Sequence, residues 1–396
     1  MRTATTSSSP SPSPSPSSSD LRARLSVCLV FVILGATQGG WMARIPAIRG
    51  AVGVDVSEWG LLSSSSAAGD LVAIVLITVL IGRVSTRLLG FSAAALVLLN
   101  APLLAGASTI PALVTGLTLW GVAATFLATP VNALAVAVER RYGRPLLSSF
   151  HATYSGGVLA GGALGTLAAA TGVSPGVQMA VSSGVLGTLL LVSAGWLPDE
   201  EIRKERRRSV RQRFTPQLIL LASIAFLASF VEGAASQWSS VYTADYLGEG
   251  SALGAATYTC FSVAILAQRL LGDRFVARLG QRAFVRLSLL TAALGTALVL
   301  VRPGLPLALA GFTVVGLGIA CVLPAAIGLA GRQPGVPPGE GVSVITIGQW
   351  PGFLLAGPAV GLLAGAADLR LALVTLIVSA LGAAVLAGHL REEEQA

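Results

Sequence analysis

Charge is scarce in this chain. Asp, Glu, Lys and Arg make up 11% of its 396 residues, while 54% are apolar. A soluble domain carries about 25% charged residues and needs polar groups to cover its core. The shortage excludes an ordinary water-soluble fold of this length. Lipid removes the difficulty, because the outer surface can then be apolar. Lysine is nearly missing: Lys204 is the only one among 26 basic residues. That bias toward arginine points to a GC-rich bacterial genome. Cysteine is rare too, and Cys28, Cys260 and Cys321 each lie inside an apolar run. Neither a disulfide framework nor a metal-ligand spacing is present. No set of His, Asp, Glu and Ser has catalytic spacing. No Gly-x-x-x-x-Gly-Lys-Ser/Thr loop occurs, which argues against ATP as the energy source. No catalytic residue, metal or cofactor is therefore expected. The net charge of +8 does not signal nucleic acid, because the basic residues form short clusters between apolar runs and no continuous basic face.

What the chain does have is a series of long apolar runs. About 20 apolar residues cross a bilayer as a helix. Spans are predicted at 25–42, 57–81, 88–106, 110–138, 147–171, 177–197, 216–241, 252–271, 283–301, 305–331, 341–365 and 369–390. Residues 1–20, nearly all Ser, Thr and Pro, read as a disordered tail. A signal peptide is the alternative for the first apolar run, but a dozen similar runs make it more economically the first of twelve spanning helices. The basic segment 198–215 divides the rest into halves of almost equal size, 21–197 and 216–391, followed by a short tail, 392–396. Gly35-Ala36 before Trp41 and Gly233-Ala234 before Trp238 hint at an internal duplication. Two parallel repeats of this kind put a solute site between them, near the midplane. With a cytoplasmic N-terminus, only Arg44, Arg49, Arg302 and Arg370 fall on outer loops. Basic residues favour the cytoplasmic side, so both termini are expected there, in a bacterial cytoplasmic membrane. The chain is expected to act as a monomer.

Local motifs narrow the class. Arg269-Leu-Leu-Gly272-Asp273-Arg274 continues to Arg278-Leu-Gly280-Gln-Arg282. This run resembles the loop signature of the major facilitator superfamily. The matching loop at 82–90 is degraded and lacks the acid. Three further stretches are more specific: Glu139-Arg140-Arg141 with Phe150-His151-Ala152 and Tyr154; Ala43-Arg44-Ile45-Pro46; and Glu232-Gly233-Ala234 with Trp238. Together they resemble the MosC-like and YbjJ-like group of that superfamily, related to fucose-type sugar permeases. The resemblance implies an all-α membrane protein with twelve transmembrane helices in two pseudo-symmetric six-helix bundles. It also implies a carrier of small solutes. Relatives often carry an Asp four residues before the helix 4 Asn; here that position is Ala128.

Ionisable residues at membrane depth are functional candidates by default. Glu232 is the first. At the ideal helical rise it lies about 24 Å from Pro216, past the midplane toward the outer face. A carboxylate there can take up and release the proton of a coupled carrier, or serve only as a structural hydrogen-bond acceptor. Asp70, near the middle of helix 2, is the second. Gln38, Trp41, Asn132, Gln237, Trp238, Gln349 and Trp350 are candidates for the solute cavity, because polyols bind through amides and against aromatic rings. The tryptophans could instead form an interfacial belt. Glu139, Arg140, His151, Asp273 and Arg278 are candidates for an inner gate.

The expected function is a secondary carrier, with a proton and a small polar, sugar-like solute as its partners. An exporter of drugs or metabolites with the same fold is the alternative. A membrane sensor or scaffold that binds without turnover is the rival from another class.

Overall fold

Ser17 starts the first helix. Its hydroxyl accepts from the Asp20 amide at 3.2 Å, and the Asp20 carboxylate accepts from the Ser17 amide at 3.1 Å. This reciprocal capping box begins the helix inside the segment expected to be a tail. The computed structural model describes residues 17–80, 83–142, 146–199, 215–331, 333 and 338–390. Most of the expected tail, almost all of the linker and the residues after Leu390 lie outside these.

The first half contains α1 (Ser18–Met42), α2 (Ile45–Val52), α3 (Val56–Ser63), α4 (Ser65–Leu80), α5 (Thr86–Ala105), α6 (Ile110–Tyr142), α7 (Leu147–Ala170) and α8 (Pro175–Ser193). The second contains α9 (Pro216–Val241), α10 (Gly250–Leu279), α11 (Gln281–Val301), α12 (Leu305–Ile319), α13 (Val322–Gly331), α14 (Pro338–Ala366), α15 (Leu369–Ala372) and α16 (Val374–Ala387). No strand forms among the described residues, and the fold is all-α. Eleven helical rods among them are long and apolar enough to cross a membrane. The exception is α7, which has 24 residues and so reaches about 36 Å at the ideal rise. It has the length, but its glycines and hydroxyl residues dilute its apolarity. Its position explains this, because it packs between α1 and α10.

The same packing order recurs in both halves. α1 lies on α7 as α9 lies on α14. α4 lies on α6 as α10 lies on α12. α5 joins α6 and α8 as α11 joins α12 and α16. Small residues allow the closest of these crossings. Side chains added at Gly157 and Gly161 of α7 would run into the α1 backbone at Val32 and Ala36. Added at Gly348 and Gly352 of α14, they would meet the α9 backbone at Ala222 and Phe226.

Three spans are interrupted, at α3–α4, α12–α13 and α15–α16, and the first two breaks have a local reason. Between α3 and α4, the hydroxyls of Ser63, Ser65 and Ser66 donate to the carbonyls three residues back, at 2.6–2.8 Å. Such back-bonding competes with the helical ladder and bends helices. Between α12 and α13, Pro324 has no amide hydrogen, and its ring excludes the carbonyl of Ala320 from a helical bond. That carbonyl accepts instead from Arg269 Nε at 3.4 Å.

The two halves meet most closely toward one end. There α3 crosses α14 with Gly60 packed on Gly361, and Thr166 of α7 bonds Thr259 of α10 at 3.0 Å. Arg49 of α2 is ion-paired with Asp245 in the π-helical turn that follows α9. The opposite end carries both terminal segments. There α4 packs chiefly on α6 of its own half.

Candidate functional site

A cavity of about 460 Å³ lies between the halves, walled by α1, α4, α6 and α7 on one side and by α9, α10 and α14 on the other. Glu232 faces into it. The carboxylate lies sixteen residues from Pro216 and fourteen from Tyr246, so it sits near the middle of a 31-residue rod and is not displaced toward one end as the span 216–241 implies. The π-helical turn carries the rod past the predicted stop.

Glu232 has a partner that the sequence reading did not include among its candidates. Arg269 of α10 donates from Nη2 to Glu232 Oε1 at 3.2 Å. Nη1 of the same guanidinium donates to Ser155 Oγ of α7 at 2.8 Å, and Nε reaches the Ala320 carbonyl. One arginine therefore ties α10 to α9 and the α12–α13 break in its own half, and to α7 in the other. A second polar link stands beside it: Tyr154 donates its hydroxyl to Gln38 Oε1 at 2.7 Å. Tyr258 also lines the cavity, and Trp120 does so edge-on to Trp41.

Of the expected residues, Glu232, Asp70, Gln38, Asn132, Gln237, Gln349 and Trp350 line this cavity. Asp70 Oδ1 accepts from Thr125 Oγ1 at 2.6 Å. Asn132 turns its amide nitrogen back onto the Ala128 carbonyl at 2.7 Å, so the position that lacks an acid still supplies a polar partner. Trp41 and Trp238 do not reach the cavity. They are 4% and 0% exposed, and their indole nitrogens have no acceptor. Both pack inside the bundle in this conformation.

The expected gate is only partly assembled. His151 is a wall of the cavity, edge-on to Phe31 at 5.4 Å between ring centres. It does not belong to the cluster around Glu139. Glu139 instead caps α7, accepting from the amides of Leu146 and Leu147 at 2.6 and 2.9 Å. Arg140 and Arg278 are exposed, and among the described residues neither is ion-paired across the halves. The side chain of Asp273 lies outside the described residues.

Sequence reasoning missed Arg269, Ser155, Tyr154, Thr125, Tyr258 and Trp120. Arg269 left a signal: it falls inside the predicted span 252–271, where an arginine needs an anion.

These features define a membrane transporter of the major facilitator type. The sequence matches the Major Facilitator Superfamily over residues 27–334, and the chain belongs to that superfamily. An uncharacterized transporter, y4wD, of Sinorhizobium fredii is 33% identical over 371 residues, covering 91% of this chain and 96% of that protein. The membrane protein MosC of Rhizobium meliloti is 26% identical, covering 89% and 86%. The chain lies in the MosC-like group. In fold it is similar to the nucleoside transporter NupG, in the structure of a point mutant, with a TM-score of 0.74, 11% identity, and 93% and 100% coverage. It is also similar to a bacterial homologue of the lysosomal transporter Spinster in an inward-facing, unoccupied conformation. That comparison has a TM-score of 0.70 and 12% identity, covering 94% and 97%.

Proposed function

We propose that the chain is a proton-coupled secondary carrier for a small polar solute, working by alternating access in a bacterial cytoplasmic membrane. The observation that carries this reading is the Glu232–Arg269 pair in a cavity between two similarly packed halves. A carboxylate in that place can be charged or neutral, and its state decides whether Arg269 has a counter-charge. The cavity volume suits a small solute. Gln38, Asn132, Gln237 and Gln349 offer amides, and Trp120 and Trp350 offer aromatic faces, which is a lining suited to a polyol or sugar.

Closure around Arg49 and Asp245, with the opposite end less tightly joined, fits a state open on the side of the termini. The arginines support assigning that side to the cytoplasm. Of the few on the other face, Arg44 and Arg370 donate to main-chain carbonyls of Val173 and Leu300, and Arg49 is paired. They are held by structure, whereas Arg22, Arg24, Arg83, Arg87, Arg140 and Arg141 lie at helix ends on the termini side.

The test is solute flux driven by a pH jump in proteoliposomes. Glu232→Gln is expected to abolish acceleration by the proton gradient while leaving solute exchange across the membrane. Full proton-driven uptake in the variant would remove Glu232 from the mechanism.

A further inference from the structure

We infer that the solute bears an acid group, and that its oxyanion takes the place of Glu232 on Arg269 when Glu232 is protonated. The inference rests on the carrier reading above and names the class of its cargo.

Arg269 is the only Arg or Lys that lines the cavity among the described residues. A guanidinium has five N–H donors in a planar fork that matches a carboxylate or phosphate. Three are used, one on each nitrogen, toward Ala320, Ser155 and Glu232. One N–H on each terminal nitrogen has no bond to a described residue. The bond to Glu232 is the only one of the three to a charged group, and at 3.2 Å it is single and long for a charge-assisted bond. Ser155 and the Ala320 carbonyl hold the guanidinium in place whether or not Glu232 is ionised. The arginine is therefore anchored by neutral groups and neutralised by an exchangeable one.

The energetics make the exchange obligatory. Breaking a buried pair by removing one partner leaves an uncompensated charge and is strongly unfavourable. A proton arriving at Glu232 alone leaves Arg269 bare. An anion arriving alone puts two anions on one cation. Both together leave the cavity with the charge it had when empty: Glu232 holds the proton, and the solute oxyanion is the counter-charge of Arg269. Loaded and empty carriers then re-orient with the same buried charge. Transport is one proton with one anionic charge, and it is electroneutral. The other titratable groups facing the pair are His151 and Tyr154 on α7, Tyr258 on α10 and Asp70 on α4. Tyr154 and Tyr258 lie within electrostatic range of Glu232, and His151 within range of Arg269. The amides and rings that suit a polyol remain available, so a sugar acid or polyol acid fits the whole cavity.

The experiment uses the purified full-length chain in detergent. Its melting temperature is followed with acetate, lactate, D-gluconate and D-glucuronate, each beside an uncharged match such as glycerol, D-glucitol or D-glucose. Carboxylates are expected to stabilise the protein more than their matches, and increasingly as pH falls. Affinity for one proton bound per anion approaches about a tenfold gain per pH unit. Proton uptake on adding the anion, read with a pH dye, is expected in the wild type. Glu232→Gln is expected to keep anion binding and lose both its pH dependence and the proton uptake. Arg269→Gln is expected to lose the preference for acids, and Arg269→Lys to keep part of it, which separates charge recognition from a folding defect.

The inference is overturned if no carboxylate stabilises the protein, or if uncharged matches bind equally and Arg269→Gln leaves the preference unchanged. Proton-driven flux of an uncharged solute in proteoliposomes leaves the carrier reading standing and sinks only the acid group. Acid binding with no counterflow of any solute keeps the site and sinks the carrier.

Discussion

Removing the negative partner of Arg49 is expected to tip the carrier toward the state open on that side. Arg49 sits on α2 and Asp245 just after α9, so their bond crosses between the halves. Arg49 is 7% exposed and Asp245 39% exposed. Burial pulls the Arg49 guanidinium below its usual range, and Asp245 opposes that pull. Hydrogen bonds to charged groups contribute about 1.5–3 kcal/mol, and exposed pairs about 0.2–1 kcal/mol. A pair with one buried and one half-exposed member falls between, at about 1–2 kcal/mol. That corresponds to about a five- to thirtyfold change in the ratio of closed to open molecules.

Asp245→Asn is the cleaner variant. Arg49 also donates to the Val54 carbonyl at 3.2 Å, so replacing Arg49 would disturb the α2–α3 turn as well. In Asp245→Asn the buried guanidinium loses its counter-charge, and any state that hydrates Arg49 gains. Spin labels at Ala51 and Glu249, both exposed positions, report the separation of the halves through electron–electron distance measurement in a cysteine-free background. The variant is expected to gain a long-distance population that the parent lacks. Exchanging the two residues, Arg49→Asp with Asp245→Arg, should restore part of the short distance. An unchanged distribution in Asp245→Asn, or a swapped protein no better than the single variant, would refute the latch.

Gly361→Val is expected to hold the same end open. A side chain there overlaps the Cα of Gly60, and overpacking costs about 1–3 kcal/mol. Thiol labelling of Ser63→Cys from the outer solution should rise. Pro324→Ala restores an amide that can bond the Ala320 carbonyl and competes with Arg269 Nε for it. Hydrogen exchange at 320–324 should slow and transport should fall, while thermal stability holds or improves. Asp55 caps α3, accepting from the Glu58 amide at 2.8 Å; that bond holds its carboxyl below the usual range. The cap contributes while Asp55 is ionised and fades as pH falls through the lowered value. Asp55→Ala should therefore cost at most about 1 kcal/mol at neutral pH, and melting curves of variant and parent should converge in acid.

The fold was largely legible because its signal is redundant. Any of the dozen apolar runs could be misjudged without changing the answer. The basic segment 198–215 and the superfamily-like run from Arg269 gave the class. Glu232 and Asp70 were legible for a related reason: an acid inside an apolar run stands out without reference to any other residue. Where the carbonyl freed at Pro324 goes was not legible, because Arg269 reaches it from another helix. The separate places of His151 and Glu139 were not legible, because adjacency in the chain does not fix which way each side chain turns. His151 begins its helix on the face turned inward, whereas Glu139 folds back to cap that helix.

By itself, then, the sequence determined that this chain lives in lipid and which superfamily it resembles. The first follows from composition and the long apolar runs, and the second from the resemblance that short motifs such as the run from Arg269 carry. Tertiary structure decided that Arg269 is the counter-charge of Glu232, that Trp41 and Trp238 pack inside the bundle, and that Arg49 and Asp245 join the halves. Each of those depends on which faces of separate helices meet. That is fixed where small residues such as Gly60, Gly161 and Gly361 let backbones touch, and no single segment contains it.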